Sequence, residues 1–141
     1  MQNYQNHART FPLFHYVVMP LLLLHFLWML VRLIQDPGPD RAEGLVLAIT
    51  LLLAALASRT QPLKAQDRVI RLEERLRYAQ LLPPDVADKA SALPTSQIIA
   101  LRFADDAELP SLVNRTLAGE FATPKDIKLA VKNWRGDYLR V

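Results

Sequence analysis

The chain divides into an apolar first half and a polar second half. Residues 11–34 form a nearly unbroken apolar run, and a helix of that length would extend about 36 Å, enough to cross a bilayer core of roughly 30 Å. The turn at 35–40 holds two prolines and a glycine, which prevent the helix from continuing. A second apolar segment follows. The pattern predicts a transmembrane hairpin over 11–60, with spans at 11–34 and 42–60.

Small residues recur at i,i+4 spacing in the second span, at Gly44 with Ala48 and at Ala54 with Ser58. Small side chains let helix backbones approach closely within a membrane. We expect these four residues to pack against the first span, and self-association of the second span is the alternative. Pro20 lies inside the first span, where its missing N–H should bend the helix.

The net charge of +3 is concentrated just beyond the apolar half. Residues 59–82 carry six basic and three acidic side chains, whereas the turn between the spans is net acidic. Because positive charge favours the cytoplasmic side, we predict a protein of the cytoplasmic (inner) membrane with both termini in the cytoplasm, including the tail at 1–10. The basic surplus should also attract anionic lipids.

Residues 61–82 predict a basic cytoplasmic stalk helix. Its narrow apolar stripe, here called the seam, has the 3,4,3 spacing of a coiled coil and consists of Val69, Leu72, Leu76 and Ala79. Two interpretations stay open: a homodimer through 69–79, or a helix resting on the C-terminal module. Glu73 and Arg77 are placed to form an i,i+4 ion pair.

The remaining residues, 83–141, predict a module of four or five short helices, so the expected fold class is all-α. Its helix boundaries are set by capping and terminating residues. The predicted signals are Thr95 or Ser96 before a helix at 97–103, Asp105 with Glu108 before a helix that Gly119 ends, and Thr123 with Asp126 before a last helix that Gly136 ends.

The last predicted helix carries the clearest candidate contact surface. Its apolar face should pack into the module and consists of Ile127, Ala130, Val131 and Trp134. Basic side chains would share another face: Lys125, Lys128, Lys132 and Arg135. Such a row is most simply a solvated face. The functional interpretation is contact of this row, together with Trp134, with anionic lipid or a protein partner.

His25 is the one candidate cofactor ligand. At the predicted middle of the bilayer, an imidazole can bind a haem or chlorophyll metal, or relay protons. A single chain supplies no second imidazole at that depth, so such a cofactor is predicted only within a larger complex, and none is expected otherwise. A hydrogen bond to a neighbouring helix is the simpler role for His25.

Other chemistry is largely excluded by composition and motifs. The chain has no cysteine, which rules out thiolate metal sites and cysteine nucleophiles. No phosphate loop, nucleophile elbow or paired metal-ligand spacing occurs, and helix capping accounts for the acidic trio Asp105, Asp106 and Glu108. Residues 83–141 balance eight basic against eight acidic side chains, a poor composition for binding nucleic acid. We therefore expect no catalytic residues, no metal site and no nucleic-acid partner.

Four segments carry a family resemblance: QNYQNHAR with FPLFHYVVMP, RLEERLR, QIIALRFADDAELPSLV and IKLAVKNWRGDYLRV. With these, the chain resembles an uncharacterised domain-of-unknown-function family of short bacterial two-span membrane proteins. The resemblance implies the same architecture and no assigned activity or site residues. It draws attention to NYxNH near one terminus and WRxDYxRV at the other, and we hypothesise that these two segments meet.

The sequence thus predicts a non-catalytic membrane protein, an accessory or interaction subunit that presents a cytoplasmic helical module to an unidentified partner. The first alternative is an accessory subunit of a cofactor-bearing membrane complex with His25 as ligand. The second is a membrane-tethered nucleic-acid-binding regulator.

Overall fold

The computed structural model describes residues 4–5 and 10–137. Within this part the protein is predominantly helical and contains no strand, which confirms the all-α fold class. The helices are α1 (Met19–Gln35), α2 (Pro39–Leu81), α3 (Pro84–Ser91), α4 (Thr95–Leu101), α5 (Leu109–Leu117) and α6 (Pro124–Ala130). Contacts divide the described residues into two units: one lies within Arg9–Leu63, and the other within Lys64–Val141 together with Tyr4 and Gln5.

Two helices are long and apolar enough to cross a membrane. The first is Leu13–Gln35, in which a π-helical segment leads directly into α1, and the second is α2. We take the most apolar stretch of 18 residues in each helix. Only 0% of this stretch is buried within the protein in the first helix, and 6% in α2. The core helix of a soluble protein would be mostly buried, because it covers its apolar side chains with neighbouring elements. These two apolar surfaces are instead left open by the chain itself.

Pro20 coincides with an irregularity at the start of the first apolar helix. The π-helical segment Leu13–Val18 ends two residues before it. Because proline has no N–H, the carbonyl of Tyr16 loses its usual donor four residues on. A π-helical turn is one way in which a helix accommodates such a missing hydrogen bond. The structure therefore shows a change of helix type on the N-terminal side of Pro20, while the bend expected at Pro20 stays a prediction.

Within the unit Arg9–Leu63, α1 and α2 approach each other closely at Gly44. A Cβ atom added there would overlap the terminal methyl group of Met29. Ala48, one turn further along α2, is 1% exposed, whereas Ala54 and Ser58 are exposed. The structure thus covers the first pair of predicted helix-packing residues and leaves the second pair open.

The second apolar segment and the predicted stalk are parts of one helix. α2 extends over 43 residues and continues through Pro62, although this proline removes the hydrogen bond to the carbonyl of Ser58. Pro62 lies next to the boundary between the two units, which falls between Leu63 and Lys64.

The C-terminal unit has a core formed by the end of α2 and the four short helices. Its buried apolar side chains are Tyr78, Leu82, Ala87, Ala90, Ala100, Leu101, Ala104, Leu109, Leu112, Val113, Ile127 and Val131. Four of them are alanines, which allow these short helices to pack closely. The predicted burial of Ile127 and Val131 is confirmed, and Ala130 and Trp134 pack against the same core.

Two of the predicted helix boundaries are confirmed. At the start of α6, Thr123 and Asp126 form a reciprocal capping box, in which each side chain accepts a hydrogen bond from the other residue's backbone N–H. After α5, Gly119 adopts a φ of +77°, a left-handed conformation that glycine adopts at little cost.

Two predicted caps are wrong. α4 begins at Thr95 with Pro94 in the capping position, and no side chain caps it. The Asp105 carboxylate does accept from the N–H of Glu108, at 2.8 Å. The Glu108 carboxylate, however, does not accept from the N–H of Asp105, as a capping box requires. The Glu108 carboxylate accepts instead from the N–H groups of Lys132 and Asn133, each at 3.1 Å. A partner distant in sequence therefore replaces the local capping box.

The last helix is shorter than predicted, since α6 ends at Ala130 and Val131 is extended. The chain then runs antiparallel to residues 103–105: the N–H of Arg135 donates to the carbonyl of Phe103 at 2.7 Å, and the N–H of Asp105 donates to the carbonyl of Asn133 at 3.1 Å. Trp134 bridges Ala104 in this pairing. These hydrogen bonds, together with those to Glu108, satisfy backbone groups that a longer helix would have used.

The hypothesised meeting of the chain ends lies largely outside the described residues. Residues 1–3, 6–9 and 138–141, which carry most of the N-terminal motif and half of the C-terminal motif, are not among them.

The capping box of α6 provides a test of this part of the fold. We expect Thr123→Ala to reduce the free energy of unfolding by about 1 kcal/mol, because it removes the side-chain acceptor of a helix N-terminus. Ser96→Ala, in the first turn of α4, is the control and should change stability by only about 0.5 kcal/mol or less. Thermal unfolding followed by circular dichroism measures both. Equal effects would contradict the assignment of the cap.

Candidate functional site

An open cleft of about 720 Å³ lies beside α2 in the C-terminal unit. Its lining combines charged side chains of both signs with one residue of the seam, Leu76. The lining residues are Glu73, Glu74, Leu76, Arg77, Gln80, Arg102, Asp106, Arg135, Gly136 and Asp137. Three arginines and four carboxylates therefore share one cleft.

Arg77 is the centre of this charged group. Its Nε donates to Asp106 Oδ1 at 2.8 Å and its Nη2 donates to the carbonyl of Ala104 at 2.7 Å. Its Nη1 donates to Glu74 Oε2 at 3.3 Å. The Arg77 side chain is only 8% exposed, so these three acceptors replace water around a buried guanidinium. The predicted Glu73–Arg77 pair is wrong, because Arg77 turns towards the module and Glu73 faces solvent.

Glu74 is the buried carboxylate of the group, at 3% exposure. Its second neighbour is Arg135, whose Nη1 lies 3.8 Å from Glu74 Oε1. Burial raises the pKa of Glu74 above its ordinary value, while Arg77 and Arg135 oppose this shift. The loss of hydration outweighs the attraction of the two arginines. The charged form of Glu74 is therefore less stable, relative to the neutral form, than it would be in water.

Arg102 and Tyr78 complete the buried polar layer. Arg102 forms an ion pair with Asp137 at 3.1 Å, and its guanidinium carbon lies 4.6 Å from the centre of the Phe103 ring. Tyr78 is fully buried, and burial, followed by the charge of Glu74, raises the pKa of its hydroxyl. Its Oη has no hydrogen-bond partner among the described residues.

The predicted basic row does not lie along one helix face, because α6 ends before two of its members. Lys125 and Lys132 are exposed. Lys128 lies with its Nζ 5.6 Å from the centre of the Phe103 ring, and Arg135 faces Glu74. Trp134 packs against Phe103, and the centres of the two rings lie 4.8 Å apart.

The remaining candidate residues are separated from one another. His25 is exposed on α1, far along the chain from the cleft. The acidic trio is divided among three partners: Asp105 binds the N–H of Glu108, Asp106 binds Arg77, and Glu108 binds the backbone at 132–133. Within 4–5 and 10–137, no three histidine, aspartate or glutamate side chains are grouped so as to hold a metal ion.

The seam lies on the open side of α2. Val69, Leu72 and Leu76 are 52%, 60% and 68% exposed, and Ala79 is exposed as well. The helix does rest on the module, as one of the two interpretations of the stalk states, but it does so through Glu74, Arg77 and Tyr78. The seam itself is left uncovered, so the other interpretation stays open.

Sequence reasoning missed the buried face of α2. A second apolar stripe, on the buried face of α2, consists of Ile70, Tyr78 and Leu81 at i, i+8 and i+11. The same face includes the charged residues Glu74 and Arg77. A charged pair placed among apolar positions of one helix face is the signal that could have revealed it, because such a pair needs partners from another element.

The fold and this ion-paired cleft define a class of protein: an all-helical chain with two apolar helices long enough to span a membrane, followed by a small helical module. The profile of the family of unknown function DUF6526 matches residues 1–141. The chain therefore belongs to that family. No curated protein and no solved structure matches it.

Arg77 and Arg135 provide a matched comparison, since both face Glu74. We expect Arg77→Met to destabilise the protein by about 3–5 kcal/mol, because it leaves buried Glu74 without its main partner. Arg135→Met should cost about 1 kcal/mol or less, since the Arg135 side chain is 56% exposed. Thermal unfolding of the full chain in detergent measures both. Similar losses for the two variants would contradict the central position of Arg77.

The raised pKa of Glu74 makes stability depend on pH with a defined sign. In the unfolded chain the pKa returns to about 4.5, so the folded state binds a proton more readily than the unfolded state. The contribution of Glu74 to stability is therefore greatest below pH 4.5 and is lost as pH rises through the higher folded-state pKa.

Glu74→Gln removes this dependence. We expect the melting temperature of the unmodified protein, relative to that of Glu74→Gln, to fall as pH is raised from 4.5 to neutrality. Asp106 and the other carboxylates are present in both proteins, so their titration largely cancels in the comparison. A difference that stays constant or grows with pH would show that the pKa of Glu74 is not raised.

Proposed function

We propose that the protein is a two-pass integral protein of the inner membrane that acts without catalysis, as an accessory or interaction subunit presenting its C-terminal module on the cytoplasmic side. One observation carries this proposal: two long apolar helices that the chain leaves almost entirely unburied. Exposed apolar surface of this extent in a folded protein indicates contact with lipid or another protein. The length of both helices favours lipid.

The second apolar helix distinguishes this proposal from a cleaved signal sequence. A signal sequence accounts for one apolar helix near the N-terminus. α2 begins only at Pro39 and continues into the core of the C-terminal unit through Tyr78. Removing it would remove part of that core, so we assign it a permanent place in the folded protein.

The non-catalytic role is supported by what the charged cleft already does. Arg77, Glu74 and Asp106 are engaged with one another, an arrangement that holds α2 against the module. Catalytic acids and bases must instead reach a substrate. The exposed side chains of Lys125 and Lys132 are then available for anionic lipid or for an acidic partner.

Orientation is tested by labelling with a membrane-impermeant maleimide. Because the chain has no cysteine, each single cysteine substitution supplies the only thiol that the maleimide can label. In spheroplasts, Gln35→Cys, at the last residue of α1 and beside the turn between the spans, should react from outside. Ser111→Cys, exposed on α5, should react only after the membrane is permeabilised.

A detergent-solubilised sample, in which both cysteines should react, controls for reactivity. Labelling of Ser111→Cys in intact spheroplasts would contradict the cytoplasmic position of the module. Equal labelling of both variants before and after permeabilisation would contradict membrane insertion altogether.

A further inference from the structure

The two sides of α2 in the C-terminal unit differ in a way that fits a coiled coil. In a heptad based on the seam, Val69 and Leu76 occupy a, and Leu72 and Ala79 occupy d. The side chains that α2 buries, Glu74, Arg77 and Tyr78, then occupy f, b and c. In a two-stranded coiled coil, b, c and f point away from the partner helix.

The module therefore covers the side of α2 that a coiled-coil partner would not use. It leaves open the a and d positions and the flanking residues Arg68 and Glu73, which are both exposed. Arg75, at the other g position, is exposed as well but donates to the carbonyl of Ser91 at 3.3 Å. A β-branched residue at a followed by leucine at d, as at Val69 and Leu72, favours two strands over three or four.

The flanking charges are complementary in one relative direction only. Arg68 occupies g and Glu73 the e position of the following heptad, and these two positions meet across a parallel two-stranded coiled coil. Neither residue forms an ion pair within the part of the chain that the structure describes. An antiparallel arrangement that overlaps the whole seam would instead bring g positions together, so that Arg75 of one chain faced Arg75 of the other.

We propose that the seam binds a second copy of this chain in a parallel, two-stranded coiled coil, with Arg68 of each copy paired to Glu73 of the other. The length of the seam, about two heptads, would be marginal for free peptides. Here α2 is already helical and one of its faces is fixed on the module, so little ordering is required on association. The proposed function, on which this step rests, confines both copies to one membrane. This confinement raises their effective concentration further.

Disulfide cross-linking of the full chain in native membranes tests the pairing. Ala79→Cys places one thiol at a d position, where two parallel chains in register bring equivalent residues within disulfide distance. Mild oxidation should convert most of the protein into a species of twice the 16.0 kDa chain mass. Ser111→Cys, exposed on α5, is the control and should remain monomeric. The product is measured in whichever fraction holds the protein, so failure of membrane insertion leaves this test intact.

Charge reversal tests the direction and the partner. Arg68→Glu in the Ala79→Cys background places carboxylates opposite each other at two sites and should weaken dimerisation about tenfold. Glu73→Arg should do the same, and the double reversal Arg68→Glu/Glu73→Arg should restore cross-linking. Arg68 and Glu73 are both exposed, but Glu73 also lines the charged cleft. Thermal unfolding of each variant therefore checks that the module stays folded.

Three results would overturn the proposal. In the first, Ala79→Cys cross-links no better than Ser111→Cys, as expected if lipid covers the seam. In the second, it forms an adduct with a different protein. In the third, the double reversal fails to restore what either single reversal removes.

Discussion

Apolar helix surface that a protein does not cover for itself must be covered by something else. In this chain the constraint applies to Leu13–Gln35 and to the first half of α2, whose most apolar windows are almost unburied. At about 25 cal/mol per Å², leaving many leucine side chains in water would cost far more than the few kcal/mol by which a small domain is stable. A lipid bilayer meets this constraint without further protein contacts.

Beyond the apolar segments, a buried ion-paired layer fixes α2 to the module. Arg77 binds Glu74 on its own helix and Asp106 and Ala104 on the module, and so joins one end of α2 to the segment between α4 and α5. Such a layer gives little net stability compared with apolar packing, but breaking it is costly. Its effect is to select which face of α2 is covered. The uncovered face is then the one that carries the seam.

The features predicted correctly from the sequence are those that depend on neighbouring residues. The apolar runs, the turn at 35–40, the capping box of Thr123 with Asp126 and the terminating Gly119 are all local, and the structure contains each of them. Glu108 and Arg77 were assigned to local roles in the same way. Their partners at 132–133 and at Asp106 lie more than twenty residues away in sequence. Local spacing carries no information about such contacts, and the cleft that they build could not be predicted.

In the proposed arrangement, the bilayer covers both apolar helices. Alkaline carbonate extraction of membranes from cells that express the full chain, followed by flotation of the pellet in a density gradient, tests this directly. Two membrane-spanning helices should keep the protein with the floating lipid, whereas a peripheral marker protein is released. Recovery of the full-length chain in the alkaline supernatant would contradict the account.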